Sequence, residues 1–146
     1  MTLEKVSFVY PVLIREGTPA FKVHAPELWM HKNDLPSVES IEITVGVFLI
    51  KSKPYYMEVD IFFGDESVIE AQDEGDESRK MAHVSVSTAE KQHIEVSSMV
   101  LKRVVLPGEG VYKIVATLLS GEIDDSKIID VNESYFIVTS SKVEGE

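Results

Sequence analysis

The side chains with the clearest chemical potential are acids grouped in one short segment. Carboxylates are the hard oxygen ligands that Ca²⁺ prefers, and a glycine among them allows the sharp turn that such a site needs. The acids are Asp73, Glu74, Asp76 and Glu77, with Gly75 between them. Their spacing does not follow the twelve-residue EF-hand pattern. The sequence therefore predicts that Asp73–Ser78 is a solvated loop without a tightly bound ion, and the same expectation applies to Asp124 and Asp125.

Other combinations that could support catalysis are incomplete. Glu58 and Asp60 share one face of a predicted strand, but glycoside hydrolysis needs two acids flanking a cleft, and the neighbouring sequence indicates none. The chain has no nucleophile elbow, phosphate-binding glycine loop or helical histidine pair. The four histidines are scattered, at His24, His31, His83 and His93. The prediction is a protein with no catalytic residue, no metal site and no cofactor.

Aromatic side chains offer a binding role instead. Four of them could stack on sugars or pack against a partner, namely Trp29, Tyr55, Tyr56 and Tyr112. Trp29 lies between Leu28 and Met30, and the expected role of this trio is a hydrophobic plug over one end of the fold. If Trp29 is exposed, the same apolar residues indicate recognition.

Charge and composition narrow the class of partner. The formal net charge is −11, from 25 acids against 14 bases, which disfavours direct binding to nucleic acid or to anionic lipid. An acidic surface for a basic partner, or mimicry of nucleic acid, remains an alternative. There is no cysteine, no basic patch before an apolar run at the N-terminus, and no apolar stretch of the ~20 residues that span a bilayer. We therefore expect a cytoplasmic protein with no membrane segment.

Alternating apolar residues predict β-strands along most of the chain. The clearest pattern is a hairpin in which Ile41 to Leu49 and Tyr55 to Phe63 are joined by the turn Lys51–Pro54. A second turn, Pro107–Gly110, precedes a strand with Tyr112, Ile114, Ala116 and Leu118 on its core face. Further predicted elements are a single helical turn over Pro26–Lys32, a short strand at Phe21–Val23, a bulge near Ser97–Ser98 and a closing strand that ends in Tyr135–Val138.

Seven to nine short strands without a long helix are typical of an antiparallel β-sandwich of immunoglobulin-like type, with a jelly roll as the alternative. At 146 residues the chain fits one domain, predicted over residues 1–139 and followed by a frayed tail at residues 140–146. Three features resemble those of small uncharacterised bacterial β-sandwich proteins. They are Leu35-Pro36 ahead of the strand Ile41–Ile50, the turn Pro107–Tyr112 and the strand Tyr135–Val138. The resemblance covers residues 35–138 and implies a fold but no activity.

The resulting functional hypothesis is a non-enzymatic interaction or accessory module with a protein partner, self-associating as a homo-oligomer through a sheet face. Apolar residues at positions expected to face solvent motivate it. The predicted interaction surface contains Trp29, Phe48, Tyr56, Phe62, Val115 and Leu119. The alternative is a β-sandwich that binds carbohydrate or another small ligand through Trp29 and loop tyrosines.

Overall fold

The chain forms nine β-strands in the part that the computed structural model describes, residues 2–17, 24–70, 81–86, 91–121 and 127–141. The strands are β1 (Lys5–Leu13), β2 (Trp29–Lys32), β3 (Ser37–Ile50), β4 (Tyr55–Phe63), β5 (Glu66–Ser67), β6 (Met81–Val86), β7 (Gln92–Leu106), β8 (Gly110–Ser120) and β9 (Lys127–Ser140). No helix occurs within these ranges. The prediction of an all-β protein is confirmed.

The strands form two sheets. The first sheet has the order β1-β3-β7-β6 and is antiparallel throughout. The second has the order β2-β9-β8-β4-β5 and is antiparallel except for the parallel pair of β2 with β9. One hydrophobic cluster contains the buried residues of both sheets, so the architecture is that of a sandwich.

Alternation along the strands decides which side chains fill the core. Successive side chains of a strand point to opposite faces, so one apolar residue in every two lies inside. Tyr112, Ile114 and Ala116 on β8 are fully buried, and Leu118 follows them at 2% exposure. On β3 the alternate residues Ile41 to Val47 are buried in the same cluster. The predicted core faces of both strands are confirmed.

The predicted hairpin of β3 with β4 is wrong, because the two strands belong to different sheets. β3 pairs with β1 and β7, whereas β4 pairs with β8 and β5. The turn between them crosses from one sheet to the other. At its start Lys51 donates its amide hydrogen to the Lys91 carbonyl oxygen, and at its end the Pro54 carbonyl oxygen accepts from Gly121. The alternation of apolar and polar residues is the same whether β3 and β4 pair with each other or lie in different sheets. It therefore could not distinguish a hairpin from a turn that crosses between the sheets.

The predicted helical turn over Pro26–Lys32 is also wrong, since this segment is extended and its second half forms β2. The Glu27 amide donates to the Pro11 carbonyl oxygen, and the Leu28 carbonyl oxygen accepts from the Ile137 amide. Hydrogen bonds to strands far away in the sequence thus replace those that a helix would make within itself.

The predicted bulge lies elsewhere on β7. Pairing of β3 with β7 is continuous past Ser97 and Ser98, and the register shifts where Lys102 and Arg103 oppose a single residue of β3. Arg103 has a φ of 59°, which is uncommon outside glycine. Ser98 fits the regular ladder because its Oγ lies 2.9 Å from Thr44 Oγ1. The two segments predicted on either side of the serines therefore form one strand.

The turn before β8 is fixed by a tyrosine. The Tyr112 hydroxyl donates to the Gly108 carbonyl oxygen at 2.6 Å, and the ring stacks against Phe63 and Phe136 with centroids 4.5 and 5.2 Å away. This turn joins β7 in one sheet to β8 in the other. Tyr112 therefore attaches the connection between the two sheets to the hydrophobic core.

Two predicted elements lie wholly or largely outside the described residues. These are the strand at Phe21–Val23 and the tail at residues 140–146. Of the tail, Ser140 is the last residue of β9, and its amide donates to Glu109 Oε1 at 2.6 Å.

Candidate functional site

Four of the exposed apolar side chains on the outer face of the second sheet lie close together. Trp29 on β2 pairs with Ile137 on β9, and Ile137 pairs with Val111 on β8, so these three form a row across the sheet. Tyr135 lies two residues before Ile137 on the same face. Their exposures are 68% for Trp29, 47% for Ile137, 56% for Val111 and 52% for Tyr135. We call these four residues the outer patch.

The residues next to the outer patch in the sequence point to the opposite face of the sheet and are buried. Met30 is fully buried, as are Tyr112 and Val138, while Phe136 is 1% exposed. Each of these residues is adjacent in sequence to a member of the outer patch. The strands that carry the patch are therefore anchored in the core through their opposite faces.

Hydrogen bonds orient the indole ring of Trp29. Its Nε1 donates to Thr139 Oγ1 at 2.8 Å. His31 lies two residues further along β2, with Nδ1 2.9 Å from the same hydroxyl oxygen and Nε2 2.7 Å from Ser141 Oγ. The polar edge of the indole is thus bonded within the sheet, and the exposed remainder of the ring is apolar.

A charged pair borders the patch. Lys113 Nζ lies 4.0 Å from Glu133 Oε1 and 5.7 Å from the centroid of the Phe62 ring. The Tyr135 hydroxyl donates to Glu133 Oε2 at 3.2 Å, and this hydrogen bond raises the pKa of the tyrosine. The residues of the row are therefore uncharged, and a pair of opposite charges lies beside them.

The residues of the predicted interaction surface lie in different places. Trp29 belongs to the outer patch, and Phe62 and Val115 are half-buried on strands of the same sheet. Phe48 is half-buried on β3 in the other sheet, and Leu119 is buried at 7% exposure. The sixth, Tyr56, is half-buried on β4 and lines a cleft between the sheets.

Sequence reasoning missed Val111, Tyr135 and Ile137. A signal was present in Tyr135–Val138, where four consecutive apolar residues cannot all point into one core. What sequence could not provide was the position of β2, which places Trp29 beside Ile137.

The predicted plug role of Trp29 is wrong. Trp29 and Leu28 are exposed, at 68% and 57%, and only Met30 of the three is buried.

The four aromatic residues expected to stack on sugars differ in their exposure. Tyr112 is fully buried, and the Tyr55 hydroxyl accepts from the Ile50 amide and donates to Glu4 Oε2. Of the predicted set, Trp29 alone presents most of its ring to solvent.

A cleft of about 140 Å³ opens between the sheets. Its walls are mainly apolar and include Val45, Val47 and Leu118. Glu95 and Ser97 on β7 also line it, and Ser97 Oγ donates to Glu95 Oε2 at 3.0 Å. This cleft lies on the inner faces of the sheets, away from the outer patch.

The acidic candidates do not form a metal centre in the described part of the chain, where no group of three or more His, Asp or Glu side chains could hold an ion. Asp60 accepts from Ser67 Oγ at 2.6 Å, and Glu58 is exposed on the same strand. The predicted acidic loop Asp73–Ser78 and the pair Asp124 and Asp125 lie outside the described residues.

Among the described residues, no helix could serve as a membrane-crossing segment. No protein-family model matches the sequence, and no curated protein matches it.

Proposed function

We propose that this chain is a non-enzymatic interaction module with an immunoglobulin-like β-sandwich fold, which associates with a second copy of itself through the outer patch. The observation that carries the proposal is the row of Trp29, Ile137 and Val111, three strongly exposed apolar residues on three adjacent strands. Apolar residues exposed singly need no explanation, but a contiguous patch anchored on rigid strands is typical of an interaction surface.

The order of the strands supports the immunoglobulin-like assignment. The order β1-β3-β7-β6 corresponds to strands A, B, E and D of that fold, and β9-β8-β4 corresponds to G, F and C. The hydroxyl of Tyr112, near the start of β8, bonds to the backbone four residues upstream, as in the tyrosine corner of such domains. A jelly roll instead arranges eight strands in two Greek keys.

The size of the patch suits a dimer. Trp and Tyr side chains each offer roughly 150–250 Å², so the exposures of Trp29 and Tyr135 leave roughly 200–300 Å² of aromatic surface before Val111 and Ile137 are added. A standard interface buries about 800 Å² per partner, of which a little more than half is apolar. The outer patch could therefore form the apolar centre of such an interface.

The charges beside the patch favour a second copy as the occupant. A two-fold dimer presents the same surface twice, so that surface must complement itself. Lys113 on β8 and Glu133 on β9 lie on one face, and Asp60 on β4 pairs with Val115 in the next row. A surface that carries charges of both signs can complement itself across a two-fold axis, whereas a surface of one sign cannot.

Size-exclusion chromatography with light scattering tests the proposal, using two matched valines. Val111 and Val38 are 56% and 58% exposed on strands of different sheets. Val111→Lys places a charge in the proposed interface and should weaken association at least about tenfold, whereas Val38→Lys should leave it unchanged. A wild-type monomer across micromolar concentrations, or equal effects of the two substitutions, contradicts the proposal.

Salt distinguishes a second copy from a basic partner. Two copies each carry a formal net charge of −11 and repel, so screening by salt should strengthen self-association through an apolar patch. Association with a basic partner should weaken as salt increases. Self-association that disappears at high salt would favour an electrostatic interface instead of the outer patch.

Carbohydrate binding is the second candidate, and the hydrogen-bonded, exposed indole of Trp29 favours it. An aromatic face held in one orientation is a suitable platform for stacking on a sugar ring. Titration with a panel of glycans should then change the fluorescence of Trp29. A panel that leaves the emission unchanged removes this candidate and does not affect the dimer.

A further inference from the structure

The inner face of β7 is apolar at one end and polar at the other. Leu101 and Met99 are buried in the hydrophobic core at 1% and 5% exposure. At the next alternate positions the same face carries Ser97, Glu95 and His93, which pair with apolar residues of β3. Placing a carboxylate against an apolar wall costs free energy, so it does not serve packing of the sandwich.

The remaining walls of the cleft are mainly apolar. Val45, Val47 and Leu49 line the cleft from β3, Met57 from β4 and Leu118 from β8. The volume of about 140 Å³ approaches that of an apolar cavity of ~150 Å³, which is large enough to hold one benzene molecule. The space thus suits a single ring or a short branched chain.

The Glu95 carboxylate is held in a defined position at this cleft. Ser97 Oγ donates to Oε2 at 3.0 Å, and His93 Nε2 lies 3.6 Å from Oε1. The side chains of Glu95 and His93 are each 24% exposed, so both are partly withdrawn from water. A carboxylate in such surroundings bonds a charged donor more strongly than one that is fully hydrated.

Lys53 lies at the same end of the sandwich and forms an ion pair there. Lys53 Nζ lies 2.8 Å from Glu4 Oε2 and 5.7 Å from the ring centroid of Tyr55, which also lines the cleft. Hydrogen bonds from Lys53 and then from Tyr55 lower the pKa of Glu4, so that carboxylate stays ionised and retains the lysine.

We propose that the cleft binds a small molecule that combines an apolar ring or short branched chain with a primary ammonium group. The apolar part lies against Val45, Val47 and Leu118, and the ammonium group donates to the carboxylate of Glu95. The excess of acids over bases in the chain also favours a cationic ligand over an anionic one. This site is independent of the outer patch.

Titration with three probes of similar shape tests the site. Benzylammonium, benzyl alcohol and phenylacetate differ in charge, and binding is followed by the NMR signals of the methyl groups of Met57 and Leu118. Benzylammonium should bind about tenfold more tightly than benzyl alcohol, since a hydrogen bond to a charged group is worth about 1.5 kcal/mol or more. Phenylacetate should bind most weakly.

Two glutamate variants complete the experiment. Glu95→Gln should reduce the affinity for benzylammonium to that for benzyl alcohol, whereas Glu58→Gln, the same change at an exposed site on β4, should have no effect. The proposal is overturned if the methyl signals do not shift with benzylammonium, if phenylacetate binds equally well, or if Glu95→Gln retains the wild-type affinity. If Glu95→Gln does not fold, the ratio of benzylammonium to phenylacetate affinity in the wild type decides.

Discussion

Removing the Tyr112 hydroxyl should measure how much its hydrogen bonding to the turn before β8 contributes to the free energy of unfolding. In Tyr112→Phe the ring keeps its stacking against Phe63 and Phe136. The hydroxyl's two hydrogen bonds with Gly108 are lost, the one that it donates to the carbonyl oxygen at 2.6 Å and the longer one that it accepts from the amide at 3.4 Å. Such a bond contributes about 0.5–1.5 kcal/mol, and the Gly108 carbonyl left without a donor adds part of its desolvation cost. Because Gly108 is only half-buried, water can compensate in part. We expect a loss of about 1–2 kcal/mol in the free energy of unfolding.

Urea denaturation followed by far-ultraviolet circular dichroism is the suitable assay. Trp29 is 68% exposed in the folded protein, so its fluorescence should report unfolding poorly. The slope of the free energy against urea should not change, because the substitution leaves the buried area almost the same. Tyr135→Phe is the matched control, since its hydroxyl bonds to Glu133 at the surface, and it should leave the free energy of unfolding nearly unchanged.

Alkaline pH gives an independent measure of the same residue. Burial raises the pKa of Tyr112 above the ordinary phenol value of about 10. The folded state therefore keeps a proton that the unfolded state loses, and stability is present below pH 10 and falls as the pH rises further. Tyr112→Phe should show a smaller alkaline loss. Equal stability of Tyr112→Phe and Tyr135→Phe at neutral pH, with an alkaline loss in Tyr112→Phe as large as in the wild type, would refute a stabilising role for the hydroxyl.

Three further outcomes test the core, the first sheet and the surface. Ile114→Ala should cost about 2–5 kcal/mol in urea denaturation because Ile114 is fully buried; a loss below 1 kcal/mol would contradict its place in the core. Gly46→Ala should cost about 1–2 kcal/mol, since the new Cβ would collide with the Phe8 ring, and a double-mutant cycle with Phe8→Ala should recover most of that loss. Burial raises the pKa of Glu27, but hydrogen bonds from Arg15 and a backbone amide outweigh it and hold that pKa below its ordinary value. Stability should therefore fall as the pH drops below about 4.3, and Glu27→Gln should show a shallower fall in acid denaturation.

Sequence alone determined which side of β3 and which side of β8 faces the core. The alternation from Ile41 to Leu49 and from Tyr112 to Leu118 has a period of two, and this period follows from the geometry of a single strand. It requires no knowledge of the neighbouring strand. The turn at Pro107–Gly110 was predictable for the same reason, because the torsion angles of proline and glycine are local properties.

Pairing between strands required the tertiary structure. A strand with one apolar face is satisfied equally by a hairpin partner or by a strand of the opposite sheet, so the sequence could not assign β4 to β8. The same limit applies to β2, whose partner β9 begins almost one hundred residues later and converts an expected helical turn into a strand. Contacts this distant override local propensity because they bury more surface than a single helical turn can.

The two candidate sites illustrate the same division. The sequence shows the types of the two central residues, since Trp29 is a tryptophan and Glu95 is a glutamate between strand-forming residues. Their neighbours are not, because Ile137 reaches Trp29 across a parallel pair and Leu118 lines the cleft of Glu95 from the other sheet. A binding surface is formed by side chains that are close in space, and only the packing of the two sheets decided which ones those are.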